Sequence, residues 1–277
     1  MKKKKLSFLE RAAAVPHLVW AVMFIVAPLI FVAFFAFTDS ETGSFSFSNV
    51  GALSSYSHIF LVSICFALVA TFFCLLIGYP LAFFISRCKP STQKLLMMLL
   101  MLPMWISLLI RTYSLMTLLD NGGLLNSFLE TIGIGTVQIV GTGGAVILGM
   151  IYDFLPYMVL PILTSMQKMD NRYLEAAADL GCNPFQTMIR VVFPLTVPGV
   201  ISGITMVFVP SISTFYISQK LGGGNFDLIG DTIERQFKYP STYNVGAALS
   251  LVMMILILIS VAVMNRFSDD DERGMMV

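Results

Sequence analysis

Charged side chains are scarce in this sequence. Asp, Glu, Lys and Arg make up 12% of the 277 residues, whereas hydrophobic residues make up 57% and the mean hydropathy is +0.83. A soluble domain normally carries about a quarter charged residues, because its surface has to be solvated. The chain therefore has too little polar surface for a water-exposed globule, and we expect lipid to be its solvent. With 16 acids against 17 bases, it also lacks the basic excess that indicates nucleic-acid binding.

Metal-binding and catalytic patterns are missing as well. The four cysteines, Cys65, Cys74, Cys88 and Cys182, lack the paired spacing of a zinc or redox site, and the two histidines stand apart. No paired His, Asp or Cys constellation supports a membrane enzyme, so we predict no catalytic residues and no metal site. The phosphate-binding pattern G-x-x-x-x-G-K-[ST] is also absent, so the chain is not expected to bind ATP itself.

Long apolar runs dominate the remaining sequence. A membrane-spanning helix needs about 20 mainly apolar residues. Six runs meet this length, at about 16–37, 60–86, 95–119, 143–166, 192–218 and 245–265. The first is too long for the apolar core of a signal peptide, which predicts that it is retained. We therefore predict an all-α membrane protein with six transmembrane helices, forming a single transmembrane domain over residues 1–277.

The basic residues predict how these helices are oriented. Lys and Arg are concentrated in the N-terminal segment, the loops after the second and fourth runs, and the C-terminal tail. The loops after the first and third runs contain neither residue, and the loop after the fifth run mixes bases with acids. Because cytoplasmic loops are enriched in Lys and Arg, we expect a multi-pass protein with both termini in the cytoplasm.

The polar segment at about residues 169–190, here called the elbow, predicts two short helices. Asp170 or Asn171 is suited to cap the first helix, and Gly181 is suited to end it. Asn183 then caps a second helix whose first residue is proline. The first of these helices is too short and too polar to enter the membrane, so we expect the elbow on the cytoplasmic face.

The elbow resembles the EAA loop of ABC importer permeases. The matching residues are Glu175, Ala176, Ala177, Gly181 and Pro194. In that family this loop forms the coupling helix that docks in a groove of the ATPase subunit. The resemblance therefore implies a type I ABC importer permease fold, with the coupling helix between helices four and five. It also assigns ATPase coupling to the five matching residues.

Three further motifs resemble the PotB-type permease of spermidine/putrescine importers. They are Leu109-Ile110-Arg111-Thr112-Tyr113, Gly123-Leu124-Leu125-Asn126 and Phe215-Tyr216-Ile217-Ser218. Such permeases work in the bacterial cytoplasmic membrane with PotA-type ATPase subunits, a PotC-type second permease and a PotD-type extracytoplasmic binding protein. The resemblance implies a polyamine substrate. It also implies that ATP and Mg are bound by the partner ATPase, with no cofactor in this chain.

Two ionisable residues, Arg111 and Asp153, fall well inside predicted spans. A charge at such a position normally faces protein or a water-filled cavity. Asp153, with Tyr157 four residues later on the same helical face, is suited to attract an amine. The alternative is that Asp153 pairs with Arg111 across the bundle, and Arg111 is expected to be structural in either case.

Aromatic residues of helices three and five are further candidates for the substrate pathway, because these helices line it in related permeases. An aromatic pathway passes a polyamine through weak cation–π contacts, each worth about 0.5–2 kcal/mol. Ordinary helix packing is the competing explanation for each ring. The candidate residues are Trp105, Tyr113, Phe215 and Tyr216.

These observations favour the permease subunit of an ATP-driven polyamine importer that works by alternating access. Two alternatives remain open from the sequence. The first is an ABC importer permease whose substrate is another small solute, such as an amino acid or an iron complex. The second is a stand-alone ion-coupled transporter, which would need no ATPase and would leave the elbow motif unexplained.

Overall fold

The computed structural model describes residues 8–39, 43–47, 49, 51, 53–170 and 172–274, with side chains described within 15–266. Helices make up nearly all regular structure in this part of the chain, and one isolated bridge pairs Thr38 with Phe45. In chain order the helices are α1 (Phe8–Ala21), α2 (Ala27–Ala36), α3 (Ser57–Arg87), α4 (Pro90–Met101), α5 (Leu108–Leu119), α6 (Leu124–Thr131), α7 (Gly143–Lys168), α8 (Arg172–Asp179), α9 (Pro184–Thr187), α10 (Phe193–Ser213), α11 (Tyr216–Leu221), α12 (Ile229–Phe237) and α13 (Tyr243–Gly274).

The helical segments reproduce the predicted spans with one difference. Five segments are each long and apolar enough to cross a membrane: Val15–Ala36, Leu53–Arg87, Gly143–Lys168, Pro184–Ser213 and Pro240–Arg266. The predicted third span is instead a pair of helical segments, Pro90–Trp105 and Leu108–Thr131, bent by 95°. The all-α prediction is confirmed, and a sixth span is present if the bent pair is counted as one.

The predicted third span, over about 95–119, contains a sharp break. The chain narrows to a 3₁₀ turn at Leu102–Trp105, which contains Pro103, and then becomes extended at Ile106 and Ser107. Proline lacks the N–H that an α-helix interior needs, and its ring clashes with the carbonyl four residues before it. The apolar run therefore continues through a point where the backbone turns sharply.

The fifth span also ends earlier than the apolar run predicts. Helix α10 stops at Ser213, Thr214 is extended, and α11 begins at Tyr216. Gly230 packs against this break so closely that a Cβ atom there would lie 2.5 Å from the Thr214 carbonyl oxygen. Hydropathy does not detect the break, because no charged residue lies between it and either end of the predicted run at 192–218.

Two π-helical turns widen helices just ahead of prolines. One turn, Val22–Val26, precedes Pro28, and the other, Met188–Val192, precedes Pro194. In each turn the following residue donates its N–H to the carbonyl five residues back. A proline ring clashes with the carbonyl four residues before it. The extra residue in the turn therefore lets the helix continue through the proline.

The larger of two compact units comprises the described residues of His58–Thr232 and Ile257–Val277. Helices α7 and α10 form its core and approach closely at glycines. A Cβ atom on Gly199 would lie 2.4 Å from Ser165 Oγ, and one on Gly203 would lie 2.8 Å from Met158 Sδ. Small residues permit such close approach, which is how helices pack without a hydrophobic driving force from water.

The smaller unit comprises the described residues of Met1–Ser57 and Ile233–Leu256. Ala36 at the end of α2 packs with Ala247 and Ala248 of α13 in a small buried cluster. The side-chain amides of Asn49 and Asn244 both donate to the carbonyl of Thr38, with Asn49 at 2.9 Å. These bonds satisfy the Thr38 carbonyl, which lies just after the C-terminal end of α2.

Candidate coupling elbow and intramembrane site

The first helix of the elbow, α8, has the predicted cap at its N-terminus. Asp170 Oδ1 accepts a hydrogen bond from the backbone N–H of Arg172 at 3.0 Å. This bond satisfies one of the free N–H groups at the start of a helix. Asn171, the other predicted cap, lies outside the described residues.

The C-terminus of α8 is closed by a glycine in the left-handed conformation. Gly181 has a φ of 78°. Its N–H donates to the Ala178 carbonyl at 2.9 Å, and the Cys182 N–H donates to the Ala177 carbonyl at 3.0 Å. This pair of bonds is a Schellman motif, which fixes where the helix stops. The predicted role of Gly181 as the helix terminator is confirmed.

The second helix of the elbow, α9, starts with a complete capping box. The Gln186 N–H donates to Asn183 Oδ1 at 2.8 Å, and the Asn183 N–H donates to Gln186 Oε1 at 3.1 Å. Pro184 is the first helical residue, as predicted. The π-helical turn and the exposed Pro194 then lead into α10. Both ends of the turn between α8 and α9 are therefore set by local hydrogen bonds.

The outer surface of the elbow combines a carboxylate with apolar side chains. Glu175 and Ala176 are exposed, whereas Ala177 is buried. Leu180 is 84% exposed and Phe185 is 71% exposed. Sequence reasoning missed these two residues, although large apolar residues flanking the turn of a polar segment were the available signal. These two side chains are therefore apolar groups that the fold of this chain leaves uncovered.

Inside the bundle, Arg111 and Asp153 form a buried ion pair between α5 and α7. Thr112 Oγ1 donates to Asp153 Oδ2 at 3.1 Å, and Arg111 Nη1 donates to the Pro103 carbonyl at 3.2 Å. The pairing that the sequence left open is therefore present. It joins α5 both to α7 and to the turn at which the third span bends.

Two candidate pathway aromatics lie on the bent third span. Trp105 ends the 3₁₀ turn and is 77% exposed. Tyr113 on α5 is also exposed and lines a cavity of about 540 Å³ together with Thr117 and Gly123. Neither ring is buried in the core of this chain, so both are accessible to a substrate or to a second subunit.

The other candidate aromatics flank the break in the fifth span or lie on α7. Phe215 is exposed in the break, and Tyr216 begins α11 with the Lys220 ammonium 5.6 Å from its ring centre. Tyr157 on α7 is exposed, whereas Asp153 is fully buried. The spacing of Asp153 and Tyr157 predicted that they share one helical face, but only Tyr157 is exposed there.

A second buried carboxyl, Asp231 near the start of α12, was missed from the sequence. It is 4% exposed, and its Oδ2 accepts bonds from Ser218 Oγ at 2.5 Å and the Leu228 N–H at 2.9 Å. Burial raises its pKa to about 6; these two hydrogen bonds oppose the rise, and the negative charge of Asp227 adds to it. The available signal was an Asp at the third helical position, where it bonds the free N–H before the helix.

The start of α12 is also bonded to α3, the helix of the second span. The Ile229 N–H donates to Ser63 Oγ of α3 at 2.8 Å. Helix α12 spans Ile229, Ile233 and Phe237, whose spacing is typical of one face of a helix. Its N-terminal turn is thus attached to both α3 and α11.

Apolar spans broken at prolines, together with a structured polar elbow ahead of the fifth span, define a membrane-embedded transport permease. A family model described as "Binding-protein-dependent transport system inner membrane component" matches residues 74–271. The chain therefore belongs to this family of permeases, which is a transport family.

Curated relatives extend the match over nearly the whole chain. It is 36% identical over 256 residues to the spermidine/putrescine transport system permease protein PotB of Haemophilus influenzae, covering 89% of this chain and 90% of that protein. It is 37% identical over 246 residues to PotB of Escherichia coli, covering 86% and 90%. The inner membrane ABC transporter permease protein YdcU of Escherichia coli is 29% identical over 257 residues, covering 87% and 82%.

Solved structures share the fold at lower identity. A bacterial ABC transporter involved in the import of the acidic polysaccharide alginate matches with a TM-score of 0.77 and 21% identity, covering 95% of this chain and 96% of that one. The same kind of transporter in complex with an alginate pentasaccharide-bound periplasmic protein gives 0.76 and 20%, covering 94% of both chains. The predicted type I importer permease fold is confirmed.

Proposed function

We propose that this chain is the permease subunit of an ATP-driven importer of polyamines, spermidine or putrescine. The observation that carries the proposal is the 36% identity to a PotB permease over 89% of this chain. Its partners are PotA-type ATPase subunits, a PotC-type second permease and a PotD-type binding protein. The complex lies in the bacterial cytoplasmic membrane, with both termini of this chain in the cytoplasm.

Coupling to ATP passes through the elbow. Glu175, Ala176 and the exposed Leu180 and Phe185 supply a surface with one carboxylate, one small residue and two apolar anchors. Large apolar anchors and small residues that permit close approach are features of docking interfaces. ATP and Mg²⁺ are bound by the ATPase subunits, and this chain binds no cofactor and performs no covalent chemistry.

Closure of the ATPase dimer displaces the elbow and switches the permease pair between its outward-open and inward-open states. The two capped helices transmit this displacement, because the Schellman motif and capping box hold the turn between them in one geometry. Gly181 is essential to that geometry, since its φ of 78° is one that side chains other than glycine adopt with strain. Pro194 marks where the displaced segment joins α10.

The substrate passes along the exposed aromatic side chains rather than beside a free carboxylate. Trp105, Tyr113, Tyr157, Phe215 and Tyr216 are exposed or half-buried and offer ring faces to ammonium groups. Asp153 is neutralised by Arg111 in this conformation. It enters the pathway only in a state in which that ion pair opens.

The experiment that tests the function is uptake of labelled spermidine into cells that express this chain with its ATPase, second permease and binding protein. Unlabelled putrescine, amino acids and ferric ion serve as competitors. We expect uptake that depends on ATP and is blocked by polyamines alone. Assembled complex with intact ATPase activity but no spermidine uptake would discard the polyamine cargo, and uptake without any ATPase would discard the importer.

A further inference from the structure

A buried hydrogen bond joins the second span to the start of the fifth span, next to the elbow. Tyr79 Oη of α3 and Thr196 Oγ1 of α10 are 3.0 Å apart. Thr196 Oγ1 directs its own proton back along its helix, to the carbonyls of Val192 at 2.9 Å and Phe193 at 3.1 Å. The Tyr79 hydroxyl is therefore the donor in the bond between the two helices.

The surroundings of this bond hold its two side chains together. Thr196 is fully buried, and Tyr79 is 9% exposed. The Tyr79 ring also packs against the Phe193 ring, with the ring centres 5.6 Å apart. A buried hydroxyl has lost its hydration, so breaking its hydrogen bond carries a desolvation cost.

Each bonded residue lies at a point where a proline weakens its helix. Pro80 follows Tyr79 inside α3, whereas Pro194 lies just before Thr196 and just after the π-helical turn Met188–Val192. A proline removes one helical hydrogen bond, and helices bend at prolines and at π-helical turns. The bond therefore joins the two helices at the points where each one bends most easily.

Helix α7 packs against both bonded helices at Met158. A Cβ atom on Gly78 of α3 would lie 3.1 Å from Met158 Cγ, and one on Gly203 of α10 would lie 2.8 Å from Met158 Sδ. On α10, Thr196 lies between the elbow and Gly203, so a displacement of the elbow reaches Thr196 before it reaches this close-packed point.

We infer that Tyr79 and Thr196 are positioning residues for coupling, because their hydrogen bond makes the second span move together with the start of the fifth span. The inference rests on the proposed function, in which the ATPase displaces the elbow. Without the bond, α10 would follow the elbow while α3 bent separately at Pro80. Less substrate would then be moved for each ATP hydrolysed, since the two spans would no longer switch together.

The first test removes one hydroxyl at a time. Tyr79→Phe and Thr196→Val each delete the bond with little change of shape. In proteoliposomes that contain the assembled complex, with the loaded binding protein present, we measure the spermidine moved per ATP hydrolysed. We expect this ratio to fall about fivefold in each variant, as for the loss of one buried neutral hydrogen bond. Thr196→Ser, which keeps the hydroxyl, should keep the unmodified ratio.

Two matched controls remove comparable hydroxyls elsewhere. Tyr56→Phe deletes a phenol that accepts a hydrogen bond from Gln236 Nε2 at 3.2 Å. Thr71→Val deletes a buried hydroxyl that donates to the Ala67 carbonyl of its own helix at 2.7 Å. Both controls should keep the unmodified ratio of transport to hydrolysis.

The ratio separates coupling from a purely structural role. A structural bond changes the unfolding temperature and the amount of complex, but not the spermidine moved per ATP by the complex that remains. The double variant Tyr79→Phe/Thr196→Val should lose no more than either single variant, because there is one bond to lose. An unmodified ratio in both single variants overturns the inference, whatever their unfolding temperatures.

A distance measurement tests the joint movement without reference to the cargo. Spin labels are attached at Phe84→Cys on α3 and Ser202→Cys on α10, both exposed positions, after the four native cysteines are replaced by serine. Between the nucleotide-free complex and the complex with ATP and vanadate, the distance between the labels should stay constant. Adding Tyr79→Phe should make it shift by roughly 1–2 Å. A shift with Tyr79 intact, or none in Tyr79→Phe, overturns the inference.

The two measurements separate this inference from the proposed function. Normal spermidine uptake by the unmodified complex, with unchanged ratios in both single variants, removes the coupling role of the bond and leaves the importer. No spermidine uptake by the unmodified complex removes the proposed cargo, and the distances between the spin labels still decide whether the two spans move together.

Discussion

Arg111 and Asp153 hold each other inside the bundle, and neither side chain has more than a few per cent of its surface exposed. Each charge is further bonded, Asp153 by Thr112 and Arg111 by the Pro103 carbonyl. A buried pair of this kind adds little net stability, because desolvation offsets the attraction. Removing one partner is costly, since the other charge is then left buried and alone.

This relationship gives a prediction that separates structure from substrate binding. Asp153→Leu or Arg111→Met alone should destabilise the solubilised protein by about 3–5 kcal/mol, whereas the double variant should recover most of the loss. Thermal unfolding in detergent measures both effects. If the double variant also transports spermidine, the carboxylate is not a required ligand. A stable double variant without transport would contradict the purely structural role.

Local chemistry made the elbow predictable from sequence. The Asp170 cap, the Gly181 stop and the Asn183 cap each depend on residues within five positions of one another, so a short stretch of sequence contains each motif. The Arg111–Asp153 pair was visible as two charges inside apolar runs, but their contact depends on how two helices turn toward each other. Sequence therefore left it as one of two alternatives.

The breaks in the third and fifth spans could not be predicted from hydropathy. Both breaks lie within predicted runs. Hydropathy shows how long an apolar run is, but it does not show where the backbone changes direction within the run. Pro103 lies in the third run, yet a proline alone does not determine whether a helix kinks slightly or turns by 95°. The burial of Asp231 was missed for a different reason. An acid at the third position of a helix indicates a bond to the N–H before the helix, but it does not show whether the carboxyl is buried.

The glycine that ends α8 should be required for coupling rather than for insertion. Its φ is 78°, and a Cβ atom would meet nothing within 4 Å, so backbone strain is the sole structural cost of a side chain. Gly181→Val should abolish ATP-dependent uptake while the protein stays in the membrane. Gly181→Asn should retain part of the activity, because asparagine tolerates the left-handed conformation better. Full transport by the valine variant would exclude a coupling role for this turn.

The exposed surface of the elbow should contribute to ATPase binding through both charge and apolar area. Glu175→Lys should abolish transport with normal membrane levels of the chain. Leu180→Ser should weaken association with the ATPase by at least tenfold, as expected when an exposed apolar anchor of an interface is lost. Uptake of labelled spermidine measures the loss of transport, and co-purification with the ATPase at increasing salt measures the strength of the association. Leu124→Ser, which changes a similarly exposed leucine outside the elbow, is the control and should leave ATPase binding intact.

Asp231 should make the stability of the protein depend on pH. Its carboxyl ordinarily titrates near 3.8, and burial raises the pKa to about 6 in the folded chain. Between these values the folded state binds more protons than the unfolded state. The free energy of unfolding should therefore fall as the pH rises from about 4 to about 6, and change little from this group above that range.

The variant Asp231→Asn should abolish this slope, because asparagine stays neutral and its side-chain oxygen still accepts the bonds from Ser218 and Leu228. At pH 7.5 its unfolding temperature should exceed that of the unmodified protein by an amount on the order of 5 °C. Asp120→Asn, at an exposed acid, is the matched control and should keep the unmodified slope. Thermal unfolding in detergent at four pH values from 4.5 to 7.5 provides the comparison. An unchanged slope in Asp231→Asn would show that this carboxyl does not titrate differently in the folded and unfolded protein.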